Sequence, residues 1–304
     1  MATATTATSQ PVAPSGQLKP NPNAAPAPPP EPILRGTKTL LIGAPGSGKT
    51  TSLTTFIEAG LELFVLITDP GGEEALLDAM ERKGLPIDKL HWHYVAAASP
   101  SWNTLIKMAD TIKVLDYKGL TEIKAGIEKK DYQQFLELIK AMQNFVCDRT
   151  GEEFGPVDHF GPDRAFAVDS LSGINEMAMD MLIGAKPAAH QGEWGVAMNA
   201  EVKLVKKLCS DLRCFFCLTA HIEKEMDETI GRPMIMVSAL GRKVAPKLPK
   251  DFSDVVQAYR EGAEFFWSTT SANVDLKART LPLSGKLPPQ FGQVVDSWKK
   301  RKAQ

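Results

Sequence analysis

Gly43-Ala44-Pro45-Gly46-Ser47-Gly48-Lys49-Thr50 is the stretch on which the reading of this chain turns. It matches in full the phosphate-loop pattern of glycine, four residues, glycine, lysine and a hydroxyl side chain. Before it, Thr37-Lys38-Thr39-Leu40-Leu41-Ile42 is a short aliphatic run stopped by glycine, which reads as a buried strand. After it, a helix is expected through about Ala59. In such a turn the glycines let the backbone wrap an anion with its N–H groups inward, and the helix N-terminus adds positive dipole. Gly43, Ala44, Pro45, Gly46, Ser47, Gly48, Lys49, Thr50 and Thr51 are therefore the expected nucleotide-binding residues. Lys49 is expected to reach the β and γ phosphates and Thr50 to ligate Mg2+, so ATP and Mg2+ are the implied ligands.

Outward from this turn, Leu63-Phe64-Val65-Leu66-Ile67-Thr68 is a second apolar run, and the order strand, helix, strand implies a parallel sheet. Residues 92–96 read as a third strand, 102–115 as a helix, and 131–147 as a charged amphipathic helix. Residues 165–168 read as the next core strand, 198–212 as a strong amphipathic helix, and 214–220 as another strand. Residues 255–259, 264–269 and 273–278 read as shorter strands extending the sheet antiparallel. The fold class expected is α/β, a mainly parallel sheet flanked by helices with antiparallel strands added at the C-terminal end. The domain boundaries follow from composition. Residues 1–35 form an Ala/Pro-rich arm too poor in large apolar side chains to fold, 36–283 the nucleotide-binding domain, and 284–304 a C-terminal basic tail. Residues 100–156 read as a helical insertion.

With 35 basic against 36 acidic side chains, net charge is −1. No whole-protein field draws this chain to nucleic acid, and any polyanion contact must be a local patch. Four cysteines and an N-terminus without secretory features point to a reducing cytoplasm. No run approaches the roughly 18 to 20 apolar residues of a bilayer-spanning helix, so a membrane is not among the expected partners. Cys214-x-x-Cys217 lacks a second pair and brackets Phe215-Phe216, which reads as buried strand, and His91-x-His93 lacks further ligands.

A phosphate loop needs an acid on a neighbouring strand to hold the metal, and Phe166-Ala167-Val168-Asp169 supplies one at a strand's C-terminal end. Asp169, with Thr50, is the expected metal site, although an aspartate there could also simply cap the next helix. Ser170 follows it, which argues against the Asp-Glu pair of AAA+ motors and favours a RecA-like P-loop NTPase. Together with Leu218-Thr219-Ala220-His221, Gly241-Arg242-Lys243 and residues 248–254, these motifs resemble phage-encoded, AAA-domain nucleotide-binding proteins with a core-only RecA fold. Some of that family are ATP-dependent single-strand annealing or recombination proteins. The resemblance spans about residues 34–283.

The resemblance implies further roles. A water-orienting carboxylate belongs after the second strand, where Asp69-Pro70-Gly71-Gly72-Glu73-Glu74 carries proline in the family's acidic position, leaving Asp69 or Glu73. Either acid could instead serve the following helix's N-terminus. His221 stands where such proteins place a γ-phosphate sensor, or is a surface residue. Residues 223–232 read as a polar mobile loop, the one that in RecA-like proteins lies against DNA, with Lys224 and Arg232 its few cations. Lys277 and Arg279 resemble basic fingers that act in trans in a neighbour's site, or form a solvated edge pair. The function implied is an ATPase acting on single-stranded DNA in phage recombination or replication, as a head-to-tail ring or filament. An ATP-gated non-catalytic scaffold and a small-molecule or nucleotide kinase are the alternatives.

Overall fold

Four strands that are apolar along nearly their whole length need cover on both faces, and the computed structural model supplies it. It describes residues 34–303 apart from 99, 117–118, 120–121, 123–131, 185–188, 228–231 and 242–243. All of these belong to one unit, Glu31–Gln304. The chain runs β1 (Lys38–Gly43), α1 (Lys49–Leu53), α2 (Thr55–Glu58), β2 (Glu62–Ile67), α3 (Gly72–Lys83), β3 (Leu90–Tyr94), α4 (Trp102–Lys113) and α5 (Gln134–Gln143). It continues through β4 (Phe145–Val146), β5 (Glu153–Gly155), β6 (Arg164–Asp169), α6 (Leu171–Ile183), α7 (Gln191–Asp211) and β7 (Phe215–Ala220). It ends with β8 (Ile222–Asp227), β9 (Arg232–Val237), β10 (Asp254–Glu261), β11 (Glu264–Ser268) and α8 (Gly292–Lys302).

Seven strands form the main sheet in the order β11-β10-β1-β7-β6-β2-β3. Every neighbouring pair is parallel except β10 with β11. Alternation sorts the strand residues to two cores. Leu40, Ile42, Phe64, Leu66, Phe216 and Leu218 face one core, closed by Leu138, Ile174 and Leu204 from α5, α6 and α7. Leu41, Leu63, Val65, Phe215 and Cys217 face the other, closed by Phe56, Leu76 and Trp298 from α2, α3 and α8. Side chains buried on both faces are what a central parallel strand requires.

The fold class is as expected, and several local expectations need correction. β10 is parallel to β1, so of the C-terminal strands in the main sheet only β11 runs antiparallel. Residues 273–278 form no strand; Val274 and Lys277 make isolated bridges to Ile235 and Val255. The buried Asp254 carboxylate holds this segment by accepting from the backbone N–H groups of Arg279 and Thr280 at 2.7 and 2.9 Å. The polar stretch after His221 is a two-stranded ribbon, because β8 pairs with β9 along its whole length, from Ile222 opposite Val237 to Asp227 opposite Arg232. Its tip, 228–231, lies outside the described residues, as do residues 1–33 of the arm, residues 117–118, 120–121 and 123–131 of the insertion, and Arg242-Lys243. The helix expected over 131–147 is shorter, Gln134–Gln143, because the chain turns at Asn144 into β4, which pairs with β5.

Residues set apart as a C-terminal tail also contribute to the core. Phe291 stacks on Phe56 at 3.9 Å between ring centroids, and its N–H donates to Thr55 Oγ1 at 2.8 Å. The Trp298 ring lies edge-on to Phe215, and its indole N–H donates to the Arg35 carbonyl at 2.9 Å. Among the described residues no helix is long and apolar enough to cross a membrane.

Candidate nucleotide site

The glycine loop joins β1 to α1 at the carboxyl ends of the parallel strands, where ligands of open α/β sheets bind. Gly46 and Gly48 take φ of 70° and 83°, values that disfavour any side chain. Gly43 is required for a different reason. A Cβ there would lie 2.5 Å from the Ala258 carbonyl oxygen and 2.5 Å from Ser47 Oγ. Lys49 is buried, and its ammonium turns back into the loop, donating to the carbonyls of Gly43 at 2.9 Å and Ala44 at 3.0 Å. Burial lowers its pKa, while Asp169 and Asp69 pull it back up.

Asp169 ends β6 and is only 4% exposed. Its Oδ2 accepts from the Thr50 hydroxyl at 2.7 Å, and its Oδ1 accepts from the Thr219 hydroxyl. Burial raises this carboxyl's pKa, and the Thr219 and Thr50 hydroxyls work against that rise. Two strands distant in sequence make the arrangement. β7 is inserted between β1 and β6, so Thr219 stands between the phosphate loop and the acid.

Beside this pair lies a second polar group. Asp69 Oδ2 accepts from Ser170 Oγ at 2.7 Å, and Ser170 is fixed in turn by Thr68, whose hydroxyl accepts from Ser170 N–H at 2.8 Å. His221 sits between the two halves, Nδ1 3.5 Å from Lys49 Nζ and Nε2 3.8 Å from Asp69 Oδ2. The structure thus brings together Lys49, Thr50, Asp69, Asp169 and His221. Glu73 lies in the first turn of α3 with Oε2 buried and unpartnered among the described residues, and no hydrogen bond ties it to the cluster.

Lys277 and Arg279 are elsewhere. Lys277 bridges to Val255, near the start of β10, whereas Gly43 is level with Ala258, so the two basic residues lie toward the opposite end of the sheet from the loop. The Lys277 ammonium donates to the carbonyls of Lys250 and Phe252. The hydrogen-bonding roles of Ser170, Thr68 and Thr219 are visible only in the structure. The signal for them is a hydroxyl within or ending an otherwise apolar strand, as in Phe215-Phe216-Cys217-Leu218-Thr219.

Thr50 and Asp169 present hard oxygen donors of the kind Mg2+ takes, and Ser47 Oγ is buried in the loop without a partner among the described residues. The residues therefore fit a magnesium triphosphate. No group of three or more His, Cys, Asp or Glu able to hold a metal occurs among the described residues, and Cys147, Cys209, Cys214 and Cys217 are free thiols. Mg2+ bound through one carboxylate and substrate phosphates needs no such cage.

Fold and cluster together define a nucleotide-binding α/β protein of the P-loop class. A family model described as an AAA domain matches residues 35–285, and the chain belongs to that family, whose members are in general ATPases. A comparison with curated proteins gave no match.

Proposed function

We propose that this chain binds and hydrolyses ATP with Mg2+ and acts on single-stranded DNA in phage recombination or replication, assembling head to tail. The observation that carries the nucleotide part is the Thr50 hydroxyl held 2.7 Å from the Asp169 carboxylate at the mouth of the Gly43–Thr50 loop. Lys49 and the loop N–H groups bind the phosphates and stabilise charge that grows on them as the terminal phosphoryl group leaves. Thr50 and Asp169 would hold the metal, which would neutralise phosphate charge there. Asp69, positioned by Ser170, orients the attacking water and takes up its proton, and His221 reads the state of the γ phosphate across to Lys49. Water adds to the γ phosphorus and the bond to the bridging oxygen breaks, giving ADP and inorganic phosphate. Lys277 and Arg279, remote from their own loop, serve the site of the next subunit, and residues 1–35 tether neighbours.

The DNA part rests on the family resemblance and on the β8–β9 ribbon, which starts at Ile222, directly after His221. One observation favours a second reading, an ATP-gated scaffold. Position 70 is proline, and the neighbouring Asp69 is already engaged by Ser170. The test is ATP turnover with and without single-stranded DNA at low and moderate salt. Turnover is expected to rise with DNA and to lose that rise steeply with salt, since phosphate contacts release counterions. Lys49→Ala is expected to abolish turnover, and retained magnesium-dependent turnover in that variant would remove the site assignment. Binding without turnover in either condition would select the scaffold.

A further inference from the structure

A hollow of about 280 Å³ lies against the first turn of α1, walled by Gly48 and Thr51 on one side, Phe265 and Pro289 on another, and Arg82 and Lys83 at the end of α3. Phe265 is the unusual member. Alternation puts it on the same face of β11 as Trp267, which is completely buried, yet Phe265 is 39% exposed. It pairs with Arg260, two positions beyond the Ala258 that lies level with Gly43, so it stands past the phosphate-loop end of the sheet. The ring rests directly on the loop. A Cβ at residue 48 would meet it at 2.9 Å, so glycine is needed there for the ring's place as well as for its φ of 83°.

The cations of this hollow are already neutralised. Arg82 pairs with Asp78 at 2.8 Å and Lys83 with Glu58 at 2.7 Å, so each cation already has a carboxylate partner. What is left is the Phe265 ring, Pro289, Ala79, Ser52 and Thr51, the last being the residue directly after Thr50. At about 280 Å³ the hollow is just under the roughly 300 Å³ at which pockets for whole small ligands start, a size suited to one part of a ligand such as a planar heterocycle.

We propose that this hollow is the nucleobase subsite of the same nucleotide site, with Phe265 stacking on the base and Pro289 closing its edge. The inference rests on the phosphate-loop reading and adds to it the residues that distinguish a nucleotide from bare polyphosphate. Stacking of a base on an aromatic ring suffices to change affinity by about tenfold or more.

The experiment compares binding of magnesium ATP and magnesium tripolyphosphate by calorimetry to the wild-type chain, Phe265→Ala, Phe265→Tyr and Lys49→Ala. ATP is expected to bind the wild type more tightly than tripolyphosphate. Phe265→Ala should weaken ATP about tenfold with tripolyphosphate unchanged, and Phe265→Tyr should restore the gap. If Phe265→Ala leaves ATP unchanged, or weakens both ligands alike, the base subsite is overturned while the phosphate site stands. If Lys49→Ala leaves both affinities unchanged, the phosphate site falls and the subsite with it.

Discussion

Asp169 illustrates how a charged group is kept useful inside a sheet. Two hydroxyls, Thr50 and Thr219, take its two oxygens, so burial raises its pKa without leaving it unpaired. Glu201 of α7 is the contrasting case. It is wholly buried, Oε2 accepts a single bond from the Leu240 N–H at 3.2 Å, and Oε1 has no partner among the described residues. Burial pushes its pKa from 4.5 to about 7. The folded state therefore holds this proton more tightly than the unfolded chain does. Its contribution to stability is complete below about pH 4.5 and is lost as pH rises through 7, at a cost on the order of 3 kcal/mol. Glu201→Gln is expected to flatten the fall in Tm between pH 5 and 8 and to raise Tm at pH 8. An unchanged slope in thermal melts across that range would refute the assignment. At this scale Lys49, Thr50 and Asp169 were legible because a motif names them. Thr219 was not, because a threonine inside Phe215-Phe216-Cys217-Leu218 shows a partner only once β7 lies beside β6.

Elements differ in how much of their fate their own residues carry. β1 and β7 are buried throughout, and a run of that kind can only be a central strand. β8 was harder, because Ile222-Glu223-Lys224-Glu225-Met226-Asp227 is too polar to announce a strand, and its hydrogen bonds come from β9. α8 was hidden by polar residues too. Its last turn is Lys299-Lys300-Arg301-Lys302, and that run of charge obscures Val294, Val295 and Trp298, which lie on one face and are buried. Trp298→Ala is expected to cost about 3 kcal/mol, from lost packing against Phe215 and the lost bond to the Arg35 carbonyl. Urea unfolding measures this, with a lower midpoint and an unchanged slope. A midpoint within error of wild type would mean that α8 does not belong to the cooperative core.

On the scale of the whole molecule, the parallel sheet sets a polarity. The loop, Asp69, Asp169 and His221 gather at the carboxyl ends of the strands, and Lys277 with Arg279 toward the other end. A head-to-tail interface joins two different surfaces of the chain, as a contribution from Lys277 and Arg279 to a neighbour's loop requires. Mixing a Lys277→Ala/Arg279→Ala chain with a Lys49→Ala chain is expected to regain activity that neither has alone. With random mixing, roughly a quarter of interfaces would join an intact loop to intact fingers. ATPase assays across mixing ratios read this directly, and no recovery at any ratio would assign the two residues to holding residues 250–254 in their own chain.

The amino-acid sequence by itself determined the phosphate loop, the strand that carries it, the acid at the end of β6 and the α/β class. Each depends on neighbours a few residues away, through glycine's backbone freedom and the apolarity of buried strands. Tertiary structure alone decided that β7 passes between β1 and β6, that Ser170 anchors Asp69, that Phe265 lies over Gly48, and that α8 closes the second core. Those are pairings between segments tens to hundreds of residues apart, and the local pattern of neither partner records which surface it will meet.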